Sequence, residues 1–114
     1  MSVDEGLVAW VAECLAPLGQ VTHRPMMGGA TLYLDGTVFA IIADEDLWFK
    51  ADKASDAEWD AIGAERFTYD MGGKVGTMNY RRAPLDAHDD PDAMRRWASL
   101  ALEAGLRAPK KKRR

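Results

Sequence analysis

Asp35-Gly36 is the feature that most constrains this chain. It sits between Thr31-Leu32-Tyr33-Leu34 and Thr37-Val38-Phe39-Ala40-Ile41-Ile42, two runs rich in β-branched, aromatic and aliphatic residues. A two-residue hairpin loop needs positive φ at both central positions, which Asp and Gly tolerate and most residues do not. The pair therefore predicts two antiparallel strands, with Leu34 opposite Thr37 and Leu32 opposite Phe39. In that register Leu32, Leu34, Phe39 and Ile41 share one face, and Tyr33, Val38, Ala40 and Ile42 share the other. Both faces are substantially apolar.

Flanking segments extend the pattern. Val21 to Met27 reads as a preceding strand, turned at Gly28-Gly29. Leu47 to Ala51 reads as a following strand after the acidic turn Asp44-Glu45-Asp46. Upstream, Ser2-Val3-Asp4-Glu5 fits a capping box, and Leu7, Val11, Cys14, Leu15 and Leu18 recur at helical spacing. Pro17 and Gly19 end that helix, predicted over residues 3–16. Downstream, Ser55-Asp56-Ala57-Glu58 fits a second capping box, with Trp59 and Ile62 on one side of a short helix and Gly63 at its end. Phe67-Thr68-Tyr69 and Val75 to Tyr80 read as two more strands around Gly72-Gly73. Asp90-Pro91 opens a last helix as cap and first residue, and Met94, Trp97, Ala98, Ala101, Leu102 and Gly105 mark its inner face. The order is helix, three or four strands, short helix, two strands, helix. Short strand-to-strand links imply a mainly antiparallel sheet, and helices on one face of it make a two-layer α+β domain.

The chain has 114 residues, enough for one domain, predicted over 1–108 with a basic, disordered end over 109–114. Its net charge of −3 hides an asymmetry. Arg107, Lys110, Lys111, Lys112, Arg113 and Arg114 are six of the fifteen cations, and no acid follows Glu103. Residues 1–106 thus hold nine cations against eighteen acids, a formal charge of −9. The five consecutive cations Lys110 to Arg114 have two readings, a salt-sensitive contact with nucleic-acid phosphates or a solvated end. The acidic body opposes extended wrapping by DNA. No apolar run reaches the roughly 20 residues of a membrane helix, and MSVDEG has no secretory pattern, so a cytoplasmic location is expected. Cys14, the single cysteine, lies among apolar neighbours and reads as a small core residue.

The residues offer little to chemistry. His23 and His88 are the only histidines, and with one cysteine they form no zinc spacing. The segment Asp86 to Asp92 lacks the mid-loop Gly and terminal Glu of a calcium loop, so capping and a solvated turn account for its acids. Gly73-Lys74 lacks the spacing of a phosphate loop, and there is no Gly-x-Ser-x-Gly. No catalytic residue, cofactor or metal is predicted. Arg24 is the polar residue that stands out, read either as an anion or partner contact or as a salt bridge to one of the many acids. Trp10 departs from the main stripe of the first helix and is placed at its edge or at an interface.

Taken in order, Leu18-Gly19, Arg24-Pro25-Met26-Met27-Gly28-Gly29, Leu32-Tyr33-Leu34-Asp35-Gly36, Phe39-Ala40-Ile41-Ile42 and Leu47-Trp48-Phe49-Lys50 resemble the TfoX N-terminal domain family. Phe67-Thr68-Tyr69, Met78-Asn79-Tyr80-Arg81 and the closing helix with Trp97 and Leu102 continue the resemblance, which covers about residues 5–107. Met27 stands where the family usually has Phe, an exchange of one large apolar side chain for another. The resemblance implies a secretion-chaperone-like α+β arrangement, with Arg24, Met26, Gly28, Gly29, Tyr33, Asp35 and Gly36 as family motif residues. It also implies a link to bacterial competence-type transcriptional regulation alongside a catabolite activator. That role belongs to members with a second, C-terminal domain, whereas this chain is expected to be a lone N-terminal domain.

The expectation is a non-enzymatic regulatory domain whose protein partner, with the transcription machinery as a candidate, or a second copy of the chain docks on the uncovered sheet face. A sequence-blind nucleic-acid binder acting through Lys110 to Arg114 is the alternative. A small-ligand site would need a polar pocket near Arg24, Tyr33 and Tyr80.

Overall fold

The computed structural model describes residues 5–26, 29–43, 45–70 and 72–108, without the side chains of Met26 and Asp70. Its elements run α1 (Glu5–Leu15), β1 (Val21–Met26), β2 (Gly29–Leu34), β3 (Thr37–Ala43), β4 (Asp46–Lys50), α2 (Lys53–Ala61), β5 (Arg66–Asp70), β6 (Val75–Arg82), a 3-10 turn η1 (Leu85–His88) and α3 (Pro91–Arg107). The strands form one six-stranded sheet in the order β1-β2-β3-β4-β6-β5, every neighbouring pair antiparallel. This is the α+β, two-layer arrangement that the pattern implied. The capping box read at Ser2 and the turn residue Gly28 lie outside the described residues, as does the basic end over 109–114.

All three α-helices pack over one face of the sheet, where Val11, Leu15, Leu32, Phe39, Leu47, Phe49, Trp59, Met94 and Trp97 form the main core. Trp59 stacks on Phe49 at 5.8 Å and meets Trp97 at 5.1 Å, locking α2, the sheet and α3 together. The inner face read for α3 is largely buried, with Ala104 added to it and Leu102 only partly covered. Gly105 explains how closely α3 lies on the sheet: a Cβ there would stand 2.2 Å from the carbonyl oxygen of Val38.

The hairpin turn is as expected, with Asp35 at φ 48° and Gly36 at φ 86°, and Leu34 opposite Thr37. Beyond it the register shifts. Tyr33 faces Val38, but Leu32 faces Ala40 rather than Phe39. One extra residue on β3 makes a bulge, and a one-residue slip exchanges the two faces of everything after it. Phe39, Ala40 and Ile42 therefore join the main core with Leu32 and Leu34, while Ile41 turns to the opposite face. Strict alternation had placed Ile41 with Leu32 and Ala40 with Tyr33.

Other differences have local causes. The capping box of α2 is Asp52 with Ser55, not Ser55 with Glu58: Ser55 N donates to Asp52 Oδ1 at 3.0 Å and Asp52 N donates to Ser55 Oγ at 3.0 Å. Asp52 caps one turn earlier, and so Ser55 is helical and buried. Ile62 and Leu18 lie past the ends of their helices and are exposed. Trp10 is tied inward, its Nε1 donating to Ala87 O of η1 at 3.0 Å.

Candidate functional site

The family motif residues gather at the β1–β2–β3 side of the sheet, and most of them shape backbone. Asp35 N donates to Gln20 O at 2.9 Å, and Gln20 N donates to Asp35 Oδ1 at 3.0 Å, so the hairpin turn clasps the entry to β1. Gly29 is buried where β2 meets β3, and a Cβ there would stand 1.8 Å from Ile42 O. Met26 is the Cα partner of Gly29 across β1 and β2. Arg24 lies exposed on the edge strand opposite Thr31 and forms no ion pair among the described residues.

The sheet face away from the helices is closed largely by its own side chains. Ile41, Trp48, Phe67 and Tyr80 form a second buried cluster. Phe67 meets Trp48 edge-on at 5.0 Å and stacks on Tyr69 at 6.2 Å, and Trp48 Nε1 donates to Ala43 O at 3.2 Å. Arg82 lies over the Trp48 ring at 4.7 Å and Lys50 over Tyr80 at 5.4 Å, which covers aromatic faces with cations. Trp48 is only 4% exposed. Burial raises the Tyr80 phenol above its ordinary pKa, and Tyr33 adds to the shift. This face is therefore not the bare apolar plate that the alternating pattern implied. Among the described residues, its exposed large apolar groups are Tyr69 and Met78 on the β5–β6 hairpin.

Arg81 is a buried charge that residue type alone did not reveal. It is 2% exposed and points to the helix side of β6. Its Nη1 donates to Asp60 Oδ1 at 2.8 Å and to Ala64 O at 3.1 Å, and its Nη2 donates to Asp56 Oδ1 at 3.2 Å. Asn79 Nδ2 also donates to Asp56 Oδ1, and Arg66 Nη1 donates to Asn79 Oδ1. The network fastens α2 to the sheet. At the other end of α2, Arg107 donates to both carboxylate oxygens of Asp52 at 2.8 and 3.0 Å. That guanidinium, more than any other group, holds Asp52 down to about 2.

These two anchorages set the position of a groove beside the C-terminal end of α2. Ile62, Gly63, Ala64, Glu65, Arg82, Ala83, Pro84, Leu85, Asp86 and Trp97 line about 450 Å³. Leu85 is 87% exposed and Ile62 45% exposed, so two large apolar side chains stand in water at its rim. Arg82 is neutralised by Asp46 and Glu65, whereas Asp86 forms no ion pair among the described residues. The indole N–H of Trp97 is buried and has no acceptor among the described residues. Chemically the groove offers apolar contact and an acidic edge. The pocket considered near Arg24, Tyr33 and Tyr80 is a different place, and the groove brings none of those three together.

Among the described residues no three His, Cys, Asp or Glu side chains gather where a metal ion could be held. No described helix is long and apolar enough to cross a membrane. Cys14 is buried, and burial pushes its thiol pKa up.

Comparison with known proteins matches residues 13–105 to the TfoX N-terminal domain. Protein Sxy of Escherichia coli K12 is 30% identical over 95 residues, covering 83% of this chain and 46% of Sxy. DNA transformation protein TfoX1 of Aliivibrio fischeri ES114 is 30% identical over 63 residues, covering 55% of this chain and 30% of TfoX1. The chain spans less than half the length of either relative.

Proposed function

The chain belongs to the TfoX N-terminal domain family, and on that footing we propose that it is a non-enzymatic regulatory domain that acts by contacting another protein. Competence-type transcriptional regulation in the cytoplasm is the process in which it works. One relative's name ties that protein to DNA transformation, and the family match in this chain, residues 13–105, runs from the end of α1 into α3. Residues 1–108 are the interaction unit, and 109–114 are a basic end appended to it.

The observation that carries the protein-contact reading is the groove with Leu85 and Ile62 at its rim. Exposed large apolar groups around a concavity mark docking sites far more often than scattered ones do. The second sheet face supports it less, because its large side chains already shield one another.

The test is transcript profiling in the chain's own host, comparing the parent with a strain lacking the chain. Altered transcripts that include DNA-uptake genes are expected, restored by the full chain and by the 1–108 truncation. An unchanged profile overturns the regulatory reading. Restoration by the full chain alone moves the function to the basic end and phosphate contact.

A further inference from the structure

We propose that the groove seats a bulky apolar side chain of a partner protein whose neighbouring residues are lysine or arginine. The inference rests on the protein-contact reading and adds the chemistry of the partner. The walls are Ile62, Ala64, Ala83, Pro84, Leu85 and Trp97, all apolar in contact character. A space of about 450 Å³ lies in the range of concave ligand sites and suits one large anchoring side chain with its flanking backbone. Interface energy concentrates in such anchors, and covering Leu85 and Ile62 removes apolar surface that the free domain leaves in water.

Charge selects the flanks. Of the three charged groups on the groove, Arg82 is already engaged by Asp46 and Glu65. Asp86 is left exposed without an ion pair among the described residues, and Asp89 and Asp90 follow it along the same segment. The surrounding body adds to this, with a formal charge of −9 over residues 1–106. A cationic flank is attracted on approach and an anionic one is repelled.

The probes are three blocked octapeptides, each with one Leu, flanked by two Lys, two Glu or two Ser. The full chain is titrated with each while the indole N–H resonance of Trp97 is followed by NMR. The Lys peptide is expected to shift that resonance and to bind about tenfold more tightly than the Glu peptide. Asp86→Lys is expected to narrow or reverse that order, and Leu85→Ser to weaken all three. Both positions are exposed, so the fold is expected to survive, and circular dichroism checks it.

Equal binding of the Lys and Glu peptides overturns the charge assignment and leaves the protein-contact reading standing. No shift with any peptide at millimolar concentration overturns the groove as the seat. Tighter peptide binding by the 1–108 truncation makes the chain's own basic end the occupant and overturns the partner assignment. A dimer in sedimentation that Leu85→Ser dissolves does the same in favour of a second copy.

Discussion

Neutralising Asp56 and Asp60 together is expected to damage the fold more than removing the arginine they hold. Arg81 is 2% exposed, and its two terminal nitrogens bind Asp60 at 2.8 Å, Asp56 at 3.2 Å and Ala64 O at 3.1 Å. Asp60→Asn keeps an oxygen acceptor and leaves Asp56 as counter-charge, so it costs about 1 kcal/mol. Asp56→Asn costs a similar amount for the same reason. The double variant leaves a buried guanidinium with no opposite charge beside it, and the expected loss is about 3–5 kcal/mol, more than the sum of the singles. Arg81→Met is different. Asp60 is 68% exposed and Asp56 24% exposed, so both carboxylates recover hydration when the arginine goes. What remains is a carbonyl at Ala64 short of one donor, a cost of about 1–3 kcal/mol. Urea unfolding followed by tryptophan fluorescence, with a common m-value, gives all four numbers. A double variant that merely sums the singles, or an Arg81→Met variant less stable than the double, refutes the view that Arg81 is a buried charge dependent on these two acids.

Three further outcomes follow from contacts described above. Gly105→Ala should destabilise the domain by about 1–2 kcal/mol in thermal unfolding, although alanine is the better helix former by about 1 kcal/mol, because the new Cβ meets the Val38 carbonyl at 2.2 Å. Asp52 titrates at about 2 rather than 3.8, so its contribution is present above pH 3.8 and is lost as pH falls toward 2; Arg107→Ala should flatten that part of an acid-stability profile. The Tyr80 phenol is raised by burial, so a spectrophotometric titration should show one tyrosine ionising late, absent in Tyr80→Phe; the stability it contributes is intact below its ordinary pKa of 10.0 and is lost as pH rises through the raised value.

Local signals were legible where one residue pair dictates one geometry. Asp35-Gly36 named its turn, and Asp90-Pro91 named the start of α3, because φ preference and a missing N–H act within a few residues. The bulge at Phe39-Ala40 was not legible, since both faces of β3 are apolar and alternation carries no mark of the extra residue. Asp52 and Ser55 both fit a cap, and only the position of α2 against the sheet decides between them. Arg81 defaults to the surface by type, and its partners lie 21 and 25 residues away in the chain. The groove is assembled from the α2–β5 connection, the segment from the end of β6 into η1 and the middle of α3, so no window of sequence contains it. Its one local hint was Leu85, a lone large apolar residue between Pro84 and Asp86.

The most direct measurement compares Leu85→Glu with Val75→Glu in the host, each replacing the parent chain, with transcripts of DNA-uptake genes as the readout. Both positions are highly exposed, at 87% and 75%, but only Leu85 borders the groove. If regulation runs through a protein seated there, Leu85→Glu loses the response and Val75→Glu keeps it, with both variants folded. Equal response from the two variants contradicts the account.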